Sequence, residues 1–420
     1  MEPAAPASFP RVVISGRGFV GGPGTGYPAL VAALRADRSA IRAVAGGPRV
    51  PALGAPADFA AEEWLAALAA AEPDVAARAR RLLRNVPRPA LLGAAAAHEA
   101  AHEAGLGPDA PGAPGTGVIV AGSNLAQDWG FANAGAVLAG RSPNPRHAIV
   151  YADSHQVGAV SELLGWRGPG LTAGAAAASG HAALFQAWLW LRAGVVERCL
   201  VLGAATGFSP VEAEAFALLG AAAPAASLAE LGGPFDRRHA GFVAGEAAAA
   251  VVLEAEPAAR ARGAVPRGCL AGAALLLGAR HGPEPDVDDE ERAMRRALAA
   301  AGLNAGNIDL VSAHATGTPA GDRAECAALR RVFAGELGRV RVNAPKDLTG
   351  HTFSSAGVVA VLACLAQMEG GFLHGHAHLA EPIDDQLRLV RRAEPAQIRT
   401  ALVNGFGFGG FAAALVLTPA

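Results

Sequence analysis

Cysteine is scarce in this chain: 4 of 420 residues, with no CxxC spacing and no ligand-like pairing with histidine. That argues against a metal site. Cys199, Cys269, Cys326 and Cys364 fit free thiols in a reducing cytoplasm. Aromatic residues are few, at 5%. An excess of positive charge is also lacking, since 35 Lys and Arg face 37 Asp and Glu. A net charge of −2 excludes the broad basic surface that a nucleic-acid partner needs. Basic clusters such as 78-RARRLLR-84 and 390-VRR-392 read as solvated helix faces, or as a docking patch for an acidic protein. The opening MEPAAPASFPRVVISG has neither a basic n-region nor a long apolar h-region, so no signal peptide is expected. One stretch, residues 168–191, is free of Asp, Glu, Lys and Arg and long enough to span a membrane. It opens with Gly-Pro-Gly and contains Ser179, His181 and Gln186. A helix buried in the protein core is therefore expected, and no membrane partner.

What is present is small and apolar. Hydrophobic residues make up 52% and charged residues 17%, so a large core is expected and disorder is not. Short β-rich runs (11–16, 117–122, 199–204, 248–255, 308–314, 339–343, 400–405 and 412–418) alternate with helical patterns. The helical patterns lie at 26–37, 60–71, 89–105, 179–194, 286–302, 321–333 and 355–371. Such alternation predicts an α/β protein with largely parallel, buried strands. A faint repeat runs through it: an apolar helix, a strand, then a glycine-led small-residue strand, at 179–257 and again at 355–419. Two similar halves, residues 1–260 and 261–420, are expected.

Four phrases carry chemistry. In 312-SAHATGTPAGDRAE-325, His314 ends an apolar strand, where open α/β sheets bind ligands. Alone, it reads better as a strand-end cap held by hydrogen bonds. In 343-NAPKDLTGHTFSSAGVVAVLACL-365, Lys346 and His351 share a loop that feeds an apolar helix. Gly350 permits unusual backbone angles there, and Ser354 and Ser355 are available as helix caps. In 404-NGFGFGGFAAALVL-417, glycines alternate with phenylalanines but lead into a strand rather than a helix. The phosphate-cradling reading therefore fails, and a hinged apolar gate fits better. In 233-GPFDRRHAGFVAGEA-247, a structural role is expected, with Asp236 paired to Arg237 or Arg238.

With these phrases the chain resembles the β-ketoacyl-acyl carrier protein synthases, condensing enzymes of thiolase fold. Family members carry EAHGTGT, matched by SAHATGT, and K…GH…AAG, matched by KDLTGHTFSSAG. They carry NSFGFGG, matched by NGFGFGG, and PFD…DGFV.GEG, matched by PFDRRHAGFVAGEA. The order agrees, and the likeness covers nearly the whole chain. The resemblance implies a thiolase-like fold, two pseudo-repeated halves stacked as a five-layer αβαβα sandwich. It implies decarboxylative Claisen condensation of acyl and malonyl thioesters, in fatty-acid or polyketide biosynthesis, by a stand-alone type II enzyme. His314 and His351 would stabilise the enolate and Lys346 would support the charge balance. Thr316 and Thr318 would hold the phosphopantetheine arm. Backbone N–H groups of residues 177 and 408 would form the acyl oxyanion hole. Phe408 would gate the pocket, and Phe406, Gly407 and Gly409 would touch substrate. No metal or soluble cofactor is implied, because phosphopantetheine arrives on the acyl carrier protein. That protein is the expected partner, beside a second copy in a homodimer or a homologous synthase subunit in a heterodimer.

One departure stands out. The family has T-A-C-[SA]-[ST]-[SG] at the start of its central helix, and on 175-AAAASG-180 the cysteine falls on Ala177. An alanine methyl cannot form a thioester, so this chain should not complete a condensation. Decarboxylation needs only the histidines and a bound malonyl thioester. Three explanations are open. One is an engineered Cys→Ala substitution in an active synthase, which the unchanged flanks favour. Another is a natural variant that decarboxylates or transfers acyl groups by another route. The third is a non-catalytic, chain-length-factor-like partner, and the retention of both histidines argues against it.

Overall fold

A computed structural model describes residues 9–45, 52–107 and 115–420. The signal-peptide reading falls partly on residues 1–8, which lie outside the described residues. Two half-sheets share one plan. The first holds Val12–Gly21, Thr116–Ala121, Gly170–Ala173, Arg198–Gly203 and Ala247–Ala255. Numbered along the chain, these strands lie in the spatial order 3-2-4-5-1. The second is parallel to the third and fourth, and the fifth is antiparallel to its neighbours. The other half-sheet holds Gly268–Leu277, Leu310–Ser312, Arg341–Asn343, Ala401–Gly407 and Phe411–Thr418. Its order and strand senses are the same. The two join where their first strands pair antiparallel, Val13 with Cys269 and Ile14 with Gly268. The weak echo between residues 179–257 and 355–419 is thus a structural repeat.

Helices complete five layers. Ser179–Arg192 and Ala356–Gly370 lie side by side in the middle layer, and one apolar core joins them to strands of both halves. Outer helices cover the far faces: Arg88–Glu103 on the first half, Val287–Ala300 and Pro319–Val332 on the second. The small residues are what let the layers approach. A Cβ on Gly180 would stand 2.9 Å from Gly357 Cα, so the two middle helices touch backbone to backbone.

Residues 168–191 resolve into an edge strand, Gly170–Ala173, and a buried helix, as their polar side chains imply. Among the described residues one helical run, Phe353–Gly370, is long and apolar enough to cross a membrane, but 78% of it is buried inside the protein.

Strand Val12–Gly21 lies hard against helix Arg88–Glu103. A Cβ on Gly18 would stand 2.0 Å from the Ala96 carbonyl oxygen, which is backbone and cannot swing away. Gly18→Ala is expected to destabilise the fold by about 3 kcal/mol or more, the upper range for overpacking. Denaturant unfolding would read the loss, and an unchanged midpoint would contradict this packing.

Candidate active site

The turn before the central helix is built by a serine. Ser179 Oγ accepts from Ala175 N (2.8 Å) and donates to Ala176 O (2.6 Å). Ala176 is held at φ 48°, a left-handed conformation that a non-glycine residue seldom adopts. Ala177 follows, half-buried at the mouth of the helix.

His314 stands two residues beyond strand Leu310–Ser312. Its backbone is gripped from both sides: its N–H donates to Glu325 Oε1 (2.8 Å), and Lys346 Nζ donates to its carbonyl (2.5 Å). Glu325 also accepts from Ala315 N and Asn404 Nδ2, so one buried carboxylate ties three segments together.

His351 is fixed through its backbone. Its N–H donates to Val243 O (2.7 Å), and its carbonyl accepts from Gly245 N (2.8 Å). Gly350 before it takes φ 67°, and a Cβ there would lie 3.0 Å from the Gly245 backbone. The phrase 233–247 therefore cradles this histidine, and it also clamps the 314–318 loop. Asp322 accepts from Phe235 N and Gly317 N, and Gly241 N donates to Gly317 O. Asp236 pairs with Arg238 (3.1 Å), as expected.

The two imidazoles meet at right angles with 5.9 Å between ring centres. His351 Nδ1 accepts from Phe353 N (3.2 Å), which places its proton on Nε2. Burial, and next the Lys346 charge, hold both imidazoles well below the ordinary value near 6.5. Both are therefore neutral N–H donors. Burial also drives Lys346 down to about 8, with Glu325 and Asp322 opposing.

A cavity of about 530 Å³ gathers Ala177, His314, His351, Thr316 and Thr318 on one wall system, together with Phe406, Gly407 and Phe408. This is the size of a small-molecule site. Phe408 is 41% exposed at its edge. Gly407 packs against the 175–178 turn, and a Cβ on it would stand 2.6 Å from Ala175 O. Three details differ from the sequence reading. Gly409 is not part of the cavity wall, because its turn at φ 88° brings Gly410 to the wall instead. Lys346 lies in a short helix, Lys346–Thr349, behind His314 rather than on the wall. Ser355 does not cap its helix; its Oγ donates to Thr352 O (2.9 Å).

Sequence reasoning missed an aromatic box around His351. Phe353 stacks on the imidazole at 4.6 Å and Phe242 meets it edge-on, while Phe208 and Phe216 pack against Phe353. Phe353 and Phe242 lie in phrases already singled out, but Phe208 and Phe216 come from a separate segment, so no local pattern announces the cluster. His181 was also missed as a neighbour of the site. It is buried one turn into the central helix, and its ring fills the space where a Cβ on Gly405 would lie, 2.1 Å from Nδ1.

The Beta-ketoacyl synthase, N-terminal domain family matches residues 10–259, and the Beta-ketoacyl synthase, C-terminal domain family matches 268–380. The polyketide biosynthesis malonyl-ACP decarboxylase PksF of Bacillus subtilis is 33% identical over 312 residues, covering 72% of this chain and 73% of that protein. A solved β-ketoacyl synthase from Burkholderia phymatum superposes with a TM-score of 0.87 at 27% identity, covering 98% of this chain and 100% of that one. The ishigamide ketosynthase/chain length factor superposes at 0.85 with 28% identity and the same coverage. With matches along both halves and the fold in common, the chain belongs to the β-ketoacyl synthase family of condensing enzymes.

Proposed function

We propose that this chain decarboxylates malonyl groups carried on an acyl carrier protein and does not condense them. One observation carries the reading: the cavity that holds His314 and His351 has Ala177 on its wall, where the family phrase puts cysteine. The machinery for losing CO₂ is present and the acyl acceptor is absent. The similarity to the Bacillus subtilis malonyl-ACP decarboxylase supports a natural decarboxylase over an engineered substitution.

The family needs no cofactor of its own, and phosphopantetheine is carried by the acyl carrier protein. Thr316 and Thr318, hydrogen-bonded to each other at 2.9 Å, would meet that arm. The thioester oxygen would accept from His351 Nε2–H and from His314. The bond from C2 to the carboxylate breaks, and its electron pair passes into the enolate whose oxygen these donors hold. The aromatic box beside His351 would strip water from the malonyl carboxylate, favouring its departure as neutral CO₂. The carrier protein is the proposed partner, and assembly is as a homodimer or with a homologous synthase subunit.

The purified protein given malonyl-carrier protein should yield CO₂ and acetyl-carrier protein, with no β-ketoacyl product. Absence of CO₂ would remove the proposal. The pH profile follows from the geometry. Because both imidazoles already lie well below 6.5, turnover should be flat from about pH 6 to 7.5. It should fall above about 8, as Lys346 loses the proton it shares with the His314 carbonyl. An acid limb centred on 6.5 would contradict neutral donors.

A further inference from the structure

Loss of CO₂ leaves an electron pair on C2 of the enolate. In a condensing enzyme that carbon attacks an acyl group, but with alanine at 177 it must take a proton instead. The source of that proton is a question specific to this chain, and it rests on the decarboxylase reading. The two imidazoles are poor sources, since a neutral donor that surrendered its proton would become an imidazolide. Lys346 stands behind His314 and off the cavity wall.

Four carboxyl groups line the cavity, all at or near the start of helix Val287–Ala300. Asp286 caps the helix by accepting from Asp289 N (2.9 Å) and pairs with Arg280. Asp289 pairs with Arg292. Glu284 is exposed to solvent. Glu290 differs from all three. It is 3% exposed, and among the described residues its Oε2 has no hydrogen-bond partner and no ion pair reaches it. One turn on, Met294 Sδ accepts from Asn404 Nδ2 (3.4 Å), and the same amide donates to Glu325, the carboxylate that holds His314 N. Glu290 is thus one turn along its helix from the frame that positions the imidazole.

We propose that Glu290 is the proton donor to C2 of the enolate. The Glu290 O–H bond breaks as a C–H bond forms from the enolate electron pair, the thioester carbonyl is restored, and acetyl-carrier protein results. The carboxylate left behind regains a proton from water entering at the cavity mouth. The side chain is available as an acid because burial, then the charges of Glu325, Asp286, Asp322 and Asp289, raise its pKa well above the usual carboxyl range.

The test compares wild type, Glu290→Gln and Glu290→Asp, each given malonyl-carrier protein in buffer containing ¹³CO₂. Acetyl-carrier protein and label returned to malonyl-carrier protein are measured together. In E290Q the enolate waits longer for a proton, so product formation should fall by about 10²-fold. Recapture of ¹³CO₂ relative to product should rise. E290D keeps an acid one methylene shorter and should lie between the two. If E290Q does not fold, E290D carries the test by the same ratio of label to product. Wild-type product rates in E290Q, or product and label falling together, would overturn the assignment while leaving the decarboxylase reading intact. A wild-type protein that releases no CO₂ would remove both.

Discussion

His351→Ala should lower CO₂ release from malonyl-carrier protein by about 10²–10³-fold, the usual cost of one lost oxyanion donor. The geometry explains why the effect should be that large. The Phe353 amide occupies Nδ1, so the only proton this ring has to give is on Nε2. The ring is neutral, buried and stacked on Phe353, so it loses little freedom when the enolate forms. His314→Ala should behave alike, and the double variant should fall well short of the product of the two losses, because the rings act on one oxygen. Binding of malonyl-carrier protein should change far less than turnover, since the threonines and the remaining cavity wall are untouched. Full CO₂ release from both single variants would end the decarboxylase reading.

Ala177→Cys should give the protein an acyl acceptor at position 177. The new thiol would lie at the mouth of helix Ser179–Arg192, where the helix dipole lowers thiol pKa. Intact mass after exposure to acyl-carrier protein should rise by one acyl group in the variant and stay unchanged in wild type. With both thioesters present, the enolate would then have an electrophile, and β-ketoacyl product should appear at the expense of acetyl-carrier protein. A variant that still releases CO₂ yet never gains mass would show that position 177 is not the acyl-acceptor position.

The candidate site was legible in the sequence because its phrases are local. SAHATGT, KDLTGH and NGFGFGG each combine a reactive or hinged residue with the glycines it needs, and the structure brings all three to one cavity. The buried helices were legible for their apolar runs. Elsewhere the signal fails for physical reasons. Helix Gln127–Leu138 buries only Asn133, and Pro210–Leu218 buries nothing, so neither has an apolar stripe to detect. Strand Gly268–Leu277 is so rich in Gly and Ala that it reads as neither helix nor strand, although it opens the second half-sheet. The aromatic box and Glu290 depend on segments far apart in the chain, which only packing unites.

The interlock of His181 with Gly405 constrains what either position can hold. The family phrase NSFGFGG puts serine where this chain has glycine, and the imidazole now occupies the volume a serine side chain would need. Gly405→Ser alone would therefore collide with the buried ring, and a smaller residue at 181 would be needed beside it to make room. The two positions in the middle layer can change only together.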